Sequence, residues 1–181
     1  MIALAVAFLW GLAEATLFFI VPDVAVSFIA LRDPRTGLWA AAAALLGALC
    51  GGMLMYLWGR RAPEQAERAV SRVPAIPQED MAHVRQALEN DGLRALFFGP
   101  LRGIPYKIYA IYAHRHATLG EFLLISVPAR GIRFFLAAWL TPLAARLILP
   151  HGSFSQRAWG LLIFWVLLYA VYFPLKHRRR A

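Results

Sequence analysis

GPLRGIPYKIYA, Gly99 to Ala110, decides how this chain folds. It sets Pro100, Pro105, Gly99, Gly103, Arg102 and Lys107 inside apolar sequence, between Leu93-Arg94-Ala95-Leu96-Phe97-Phe98 and Ile108-Tyr109-Ala110-Ile111-Tyr112-Ala113. A straight span centred here would carry Arg102 and Lys107 near mid-membrane, at about 2.5–3.5 kcal/mol each. The two prolines donate no backbone hydrogen bond, and the two glycines tolerate unusual dihedrals. Such backbone survives at membrane depth only where protein or a watery cavity covers it. The stretch therefore reads as a broken, re-entrant hairpin. The competing reading is a short amphipathic helix followed by a surface loop.

The composition sets the class. The chain has 181 residues, is 60% hydrophobic and only 16% charged, and its mean hydropathy is +0.56. A soluble domain cannot hide that much apolar surface, so one polytopic membrane domain is expected. The net charge is +9, but Lys176, Arg178, Arg179 and Arg180 supply four of these charges directly after an apolar run. That tail reads as a cytoplasmic flank touching anionic lipid, with no nucleic-acid partner. Cys50 is alone and forms neither an intramolecular disulfide nor a metal constellation. Met1 to Ile20 lacks a basic n-region and does not read as a cleaved signal peptide.

Outward from the central stretch, Ile2 to Leu31 is apolar but interrupted by Glu14 and by Val21-Pro22-Asp23. The expectation is a second broken hairpin, split at Pro22, against the alternative of a proline-kinked span. Arg32 to Gly37 is a turn. Leu38 to Trp58 is uncharged and long enough to span, and its small residues (Ala40 to Ala44, Gly47, Ala48, Gly51, Gly52) predict close helix packing. Gly59 to Gly92 is polar, with an amphipathic helix from Gln78 to Asn90 that buries Met81, Val84, Ala87 and Leu88. His114 to Ala117 is a turn. Thr118 to Leu140 is the next span, with Arg130 and Arg133 three residues apart on one face. Thr141 to Gln156 is expected to be a loop or short interfacial helix, and Arg157 to Phe173 an ordinary last span.

Charge counting then orients the spans. Arg60, Arg61, Arg68, Arg72 and the basic tail all fall on the cytoplasmic side only if residues 93–113 dip in and return. The expected architecture is all-α, with two inverted re-entrant hairpins and about three full transmembrane helices. Residues 1–58 and 93–140 form opposed repeats, residues 59–92 lie between them, and residues 141–181 carry the last helix and tail. Broken segments at matching places in two opposed halves point to a transporter with a midplane site.

Several of these pieces together resemble the DedA family, also called SNARE-associated or VTT-domain membrane proteins. They are Glu14 with Val21 to Val24 (VPDV), Leu45 to Arg61 (LLGALCGGMLMYLWGRR), Asp91 to Ala110 (DGLRALFFGPLRGIPYKIYA), and a helix opened by Glu121-Phe122. The likeness covers about Gly11 to Leu140. It implies two facing re-entrant hairpins, acids on the first and bases on the second. It also implies transport of phospholipids or undecaprenyl phosphate across a bacterial cytoplasmic membrane, often proton-coupled. By position, Glu14 matches the family's embedded glutamate and Asp23 the acid after the hairpin proline. Where the family often sets an arginine directly after the glycine of the second hairpin, this chain has Pro100, with Arg102 two residues on and Lys107 near the second basic place.

The candidate site follows. Arg102, Lys107, Arg130 and Arg133 are the candidate phosphate ligands, arginine for bidentate contact and lysine as a point charge. Glu14 and Asp23 are the candidate proton carriers. The alternative is an assembly protein whose embedded ion pairs only hold the hairpins together. An enzyme is not expected, because no Gly-x-Ser-x-Gly, His-x4-Asp or His-Glu-x-x-His pattern occurs, and no cofactor is implied.

Overall fold

The structure, a computed structural model, describes residues 1–74, 76–99 and 103–178, with side chains as far as Pro174. The described residues form helices and no strand. They are α1 (Ile2–Ala15), α2 (Asp23–Arg32), α3 (Pro34–Arg61), α4 (Pro63–Ser71), α5 (Gln78–Asp91), α6 (Leu93–Phe98), α7 (Tyr106–Tyr112), α8 (Leu119–Ile148) and α9 (Phe154–Arg178). Three stretches are long and apolar enough to cross a membrane: Pro34–Arg61, Leu119–Ile148 and Phe154–Pro174. The chain is an all-α protein with the length and hydropathy pattern of an integral membrane protein.

The axis of the fold is α3. Asp33 caps its first turn by accepting from the Arg35 and Thr36 amides at 3.3 and 3.0 Å, and Pro34 suits the start, where no N–H bond is needed. The small residues of α3 remove the side chains that would hold neighbours off. A Cβ at Gly47 would run into the Phe8 carbonyl, and one at Gly51 would sit 2.6 Å from the Leu12 carbonyl. Gly11 of α1 returns the contact against the Ala44 backbone. Residue numbers rise together along this seam, so α1 runs parallel to α3. Gly37 lies against Ala30, so α2 runs antiparallel to α3. Helices α1 and α2 therefore form a hairpin whose break, residues 16–22, reaches the level of Gly51. That level is about 26 Å along a helix about 42 Å long.

The break falls earlier than Pro22. Helix α1 stops at Ala15, where the Thr16 hydroxyl donates to the Leu12 and Ala13 carbonyls at 3.2 and 2.8 Å and competes for the last turn. Pro22 becomes the N-cap of α2. Its ring would clash with the carbonyl four residues back in a continuous helix, which keeps residues 18–21 out of helical geometry.

The second break meets the first. Tyr106 opens α7 against Gly52, and Ile111 lies against Gly59, so α7 runs from mid-height to the far end of α3. Gly103 turns the chain at φ +77, a conformation strained for any side chain. Pro100, Leu101 and Arg102, the centre of the expected hairpin, lie outside the described residues. Helix α8 then returns antiparallel to α3: Tyr56 donates to the Ala117 carbonyl at 2.8 Å near its start, and Gly131 meets Leu45 further on. A capping box formed by Thr118 and Glu121 begins it.

The expected boundary at Leu140 is not observed. Helix α8 continues through Pro128 and Pro142 to Ile148, so residues 141–148 are its last turns, neither a loop nor a separate interfacial helix. Each proline removes one backbone bond, but the Leu- and Ala-rich flanks carry the helix on. Helix α9 starts at Phe154 and packs antiparallel to α2. Trp165 donates to the Ser27 hydroxyl at 3.0 Å, the Val21 amide donates to the Tyr169 hydroxyl at 2.9 Å, and Phe173 meets Phe19 edge-on at 5.6 Å. It therefore ends at the same end of the bundle as Arg60 and Arg61. Helix α5 matches its expected face, with Met81, Val84 and Leu88 buried at about 1.5–3 kcal/mol each. Arg85 ties it to Glu67 of α4 at 2.8 Å and to the Tyr112 hydroxyl of α7 at 3.1 Å. The helix α4 itself had no counterpart in the sequence reading.

Candidate functional site

The site sits where the two breaks meet α8. Glu14 is in the last turn of α1, Asp23 in the first turn of α2, Lys107 in the first turn of α7, and Arg130 and Arg133 one turn apart on α8. These five side chains come from four helices, and the sequence places them up to 119 positions apart. The fold gathers them. Arg130 donates through Nη2 to Glu14 Oε2, and Arg133 donates through Nη2 to Asp23 Oδ2 at 2.6 Å. Lys107 Nζ donates to the Phe18 carbonyl at 2.8 Å, in the non-helical break between α1 and α2. Arg102, the sixth candidate, lies outside the described residues.

Burial separates the two pairs. The Glu14 and Arg130 side chains are 8% and 4% exposed, while Arg133 is 37% exposed above a buried Asp23. Arg130 is also held by rings, its guanidinium carbon lying 4.5 Å from the Tyr106 centroid and 5.1 Å from that of Phe134. Tyr106 is fixed in turn by donating to the Ser126 hydroxyl at 2.9 Å and by stacking on Phe122. The Arg130 Nε is buried and has no partner among the described residues. Lys107 is 2% exposed and makes no ion pair with a described carboxylate. Three cations face two carboxylates here, with donors to spare on both Arg130 and Lys107.

Beside the cluster is a cavity of about 160 Å³. Glu14, Lys107, Arg130 and Arg133 line its polar side, and Phe19, Tyr106, Tyr169, Tyr172 and Phe173 its aromatic side. Val73, Pro74 and Ile76, from the connection between α4 and α5, close part of it. Asp23 is not in the lining and reaches the cavity only through Arg133. A chamber of this charge can accommodate a small oxyanion next to an apolar body. No group of three metal-ligating side chains occurs among the described residues.

Sequence reasoning missed the contribution of α9. It treated the last span as ordinary, yet Tyr169, Tyr172 and Phe173 form a wall of the cavity. The available signal was three phenols and indoles, Trp165, Tyr169 and Tyr172, on a lipid-length helix at spacings of four and three. Polar-tipped rings at that spacing share a face and need partners inside the protein. The sequence reading prefers the arginines as phosphate ligands and keeps ion pairing with the acids as its alternative; in the structure both arginines are engaged by acids. No protein-family model, curated protein or solved structure matches this chain.

Proposed function

We propose that this chain is a transporter that moves a phosphate-bearing lipid, a phospholipid or undecaprenyl phosphate, from one leaflet to the other. In this reading the hairpin α1–α2 and the segment around α6–α7 dip into a bacterial cytoplasmic membrane from opposite faces, and the C-terminus is cytoplasmic. Lys107, Arg130 and Arg133, with Arg102 added from the sequence, hold the phosphate. Glu14 and Asp23 release their arginines and take up protons when the lipid arrives, and give the protons up as it leaves and the ion pairs re-form. The observation that carries the proposal is the gathering of Lys107, Arg130 and Arg133 on one cavity wall against only two nearby carboxylates among the described residues. An excess of buried cations is costly in a low dielectric unless an anion completes it. The meeting of the two breaks at one level of α3 supports the same reading, as does the resemblance to the DedA family.

The test is reconstitution into liposomes with headgroup-labelled lipids, with and without a pH gradient. Glu14→Gln and Arg130→Gln, each checked for folding, are expected to abolish headgroup translocation. Unchanged transport in both would remove the proposal.

A second reading is favoured by one specific observation: Arg130 and Arg133 are both already paired. Ion pairs that serve only to join the hairpins to α8 would look the same. Exchanging the charges, Glu14→Arg with Arg130→Glu, distinguishes the two. A purely structural pair tolerates the exchange, whereas a phosphate site loses transport because the cation has moved to α1.

A further inference from the structure

A second cavity, of about 340 Å³, lies at the opposite end of the bundle, wedged between the end of α2, the last turns of α8 and the first turns of α9. Leu31, Leu140, Ile148, Leu161 and Phe164 make it apolar, and Arg157 stands on its wall. The Arg157 guanidinium is anchored. Nε and Nη2 donate to the Leu149 carbonyl at 3.1 and 3.0 Å, and Nη2 also donates to the Pro150 carbonyl at 2.9 Å. Its Nη1 makes no bond to a described residue, so a fixed cation keeps free donors beside an apolar hollow.

The surrounding charge has one sign. Arg32, Arg35, Arg146 and Arg157 belong to this end, against the single acid Asp33, whose carboxylate is spent on capping α3. No Asp or Glu occurs between Phe122 and the C-terminus. We propose that this hollow holds one acyl chain of a resident anionic phospholipid whose phosphate sits on Arg157. An apolar hollow of this kind does not hold water, and hydrocarbon is the filling a membrane supplies. The headgroup level follows from the same geometry, because Leu149 and Pro150 end a helix about 45 Å long. A phosphate on Arg157 completes the donors that the two carbonyls leave over, and the cationic surroundings favour an anionic headgroup over a zwitterionic one. The site is separate from the charged cavity between the hairpins and needs only that the chain be embedded in a bilayer. Its effect reaches that cavity through α9, since a chain between α8 and the start of α9 sets the tilt of the helix whose other end carries Tyr169 and Tyr172.

The experiment is native mass spectrometry of the full chain in mild detergent, after incubation with an equimolar mixture of dioleoyl phosphatidylglycerol and dioleoyl phosphatidylcholine. The expected result is one retained lipid with about a fivefold preference for phosphatidylglycerol, the scale of one cation at a membrane surface. Arg157→Gln removes the preference and Arg157→Lys keeps it. Gly160→Leu tests the chain rather than the headgroup. A Cβ at Gly160 meets only the Leu149 methyl at 3.9 Å, so a larger side chain enters the hollow without touching backbone, and retention of both lipids falls. Equal retention of the two lipids by the wild type, or undiminished phosphatidylglycerol binding in both Arg157→Gln and Gly160→Leu, overturns the proposal. Neither outcome depends on transport activity.

Discussion

Replacing Glu14 by Gln should destabilise this protein far more than the matching change at Asp23. The Glu14–Arg130 pair is almost wholly enclosed, with side chains 8% and 4% exposed. Taking away the carboxylate leaves the guanidinium charged between the Tyr106 and Phe134 rings. Breaking a buried pair from one side costs about 3–5 kcal/mol. For a chain of this length each kcal/mol moves the midpoint by about 2–4 °C, so Tm should fall by about 6–20 °C. Asp23→Asn unpairs Arg133 instead, which is 37% exposed and can turn into the cavity it lines. Its cost should therefore lie in the exposed range, about 1 kcal/mol or less. The assay is thermal unfolding of the purified protein in one detergent, followed through its six tryptophans. Removing both charges with Glu14→Gln and Arg130→Met should recover most of the loss, since an apolar replacement of a buried pair is often neutral. If Glu14→Gln costs no more than Asp23→Asn, or the double variant falls as far as the sum of the singles, the pair is not the enclosed unit described here.

The α1–α3 seam and the cap of α3 give two further tests. Gly47→Val forces a side chain into the Phe8 backbone and should cost about 3 kcal/mol or more, whereas Gly120→Ala, with nothing within 4 Å of the added Cβ, should raise Tm slightly through helix propensity; thermal melts of the two side by side check both. At Asp33, hydrogen bonds from the Thr36 side chain, the Thr36 amide and the Arg35 amide hold the carboxyl below its ordinary 3.8. A depressed carboxyl stabilises above the unfolded value and loses that contribution as pH falls through the folded one. The Tm advantage of wild type over Asp33→Ala should thus be constant from pH 7 to 5 and shrink as the pH is lowered below 3.8; an advantage that persists in acid contradicts the cap.

The elements legible in the sequence are those whose local signals agree. The uncharged, small-residue run of α3 predicts a tightly packed span, and Gly11, Gly47 and Gly51 are where backbones touch. The spacing of Met81, Val84 and Leu88 predicts the buried face of α5. Boundaries were less legible because prolines act through context. Pro22 marks the resumption of a helix and not its break, since Thr16 had already ended α1, and Pro142 sits inside a helix that its neighbours sustain. The charged site was legible as a set of residues but not as a pattern of partners. Sequence spacing puts Arg130 and Arg133 on one face of α8, but it does not say that the ends of α1 and α2 deliver one acid to each. That depends on the depth of the first break, which Ala15 against Gly51 fixes.

The pairing of Arg130 and its readiness for a ligand belong to one accounting of donors. The guanidinium has five N–H groups, and Glu14 takes one through Nη2, while the residue also lines the cavity. A phosphate entering the cavity therefore competes with Glu14 for the same cation. Competition has a sign that a purely structural pair lacks. Glu14→Gln removes the competitor and should tighten binding of dodecyl phosphate by about tenfold, a difference of about 1.4 kcal/mol. Arg130→Gln removes the ligand and should weaken binding by at least as much. Translocation should fall in both, in the first because the phosphate is no longer released and in the second because it is not captured. Tryptophan-fluorescence titration at low salt reads the affinities, and raising the salt should weaken the wild-type interaction less than that of an exposed cation, because Arg130 is screened by protein rather than by ions. An affinity that does not change on Glu14→Gln means that acid and phosphate do not share Arg130, and the cavity then owes its charges to packing the hairpins against α8.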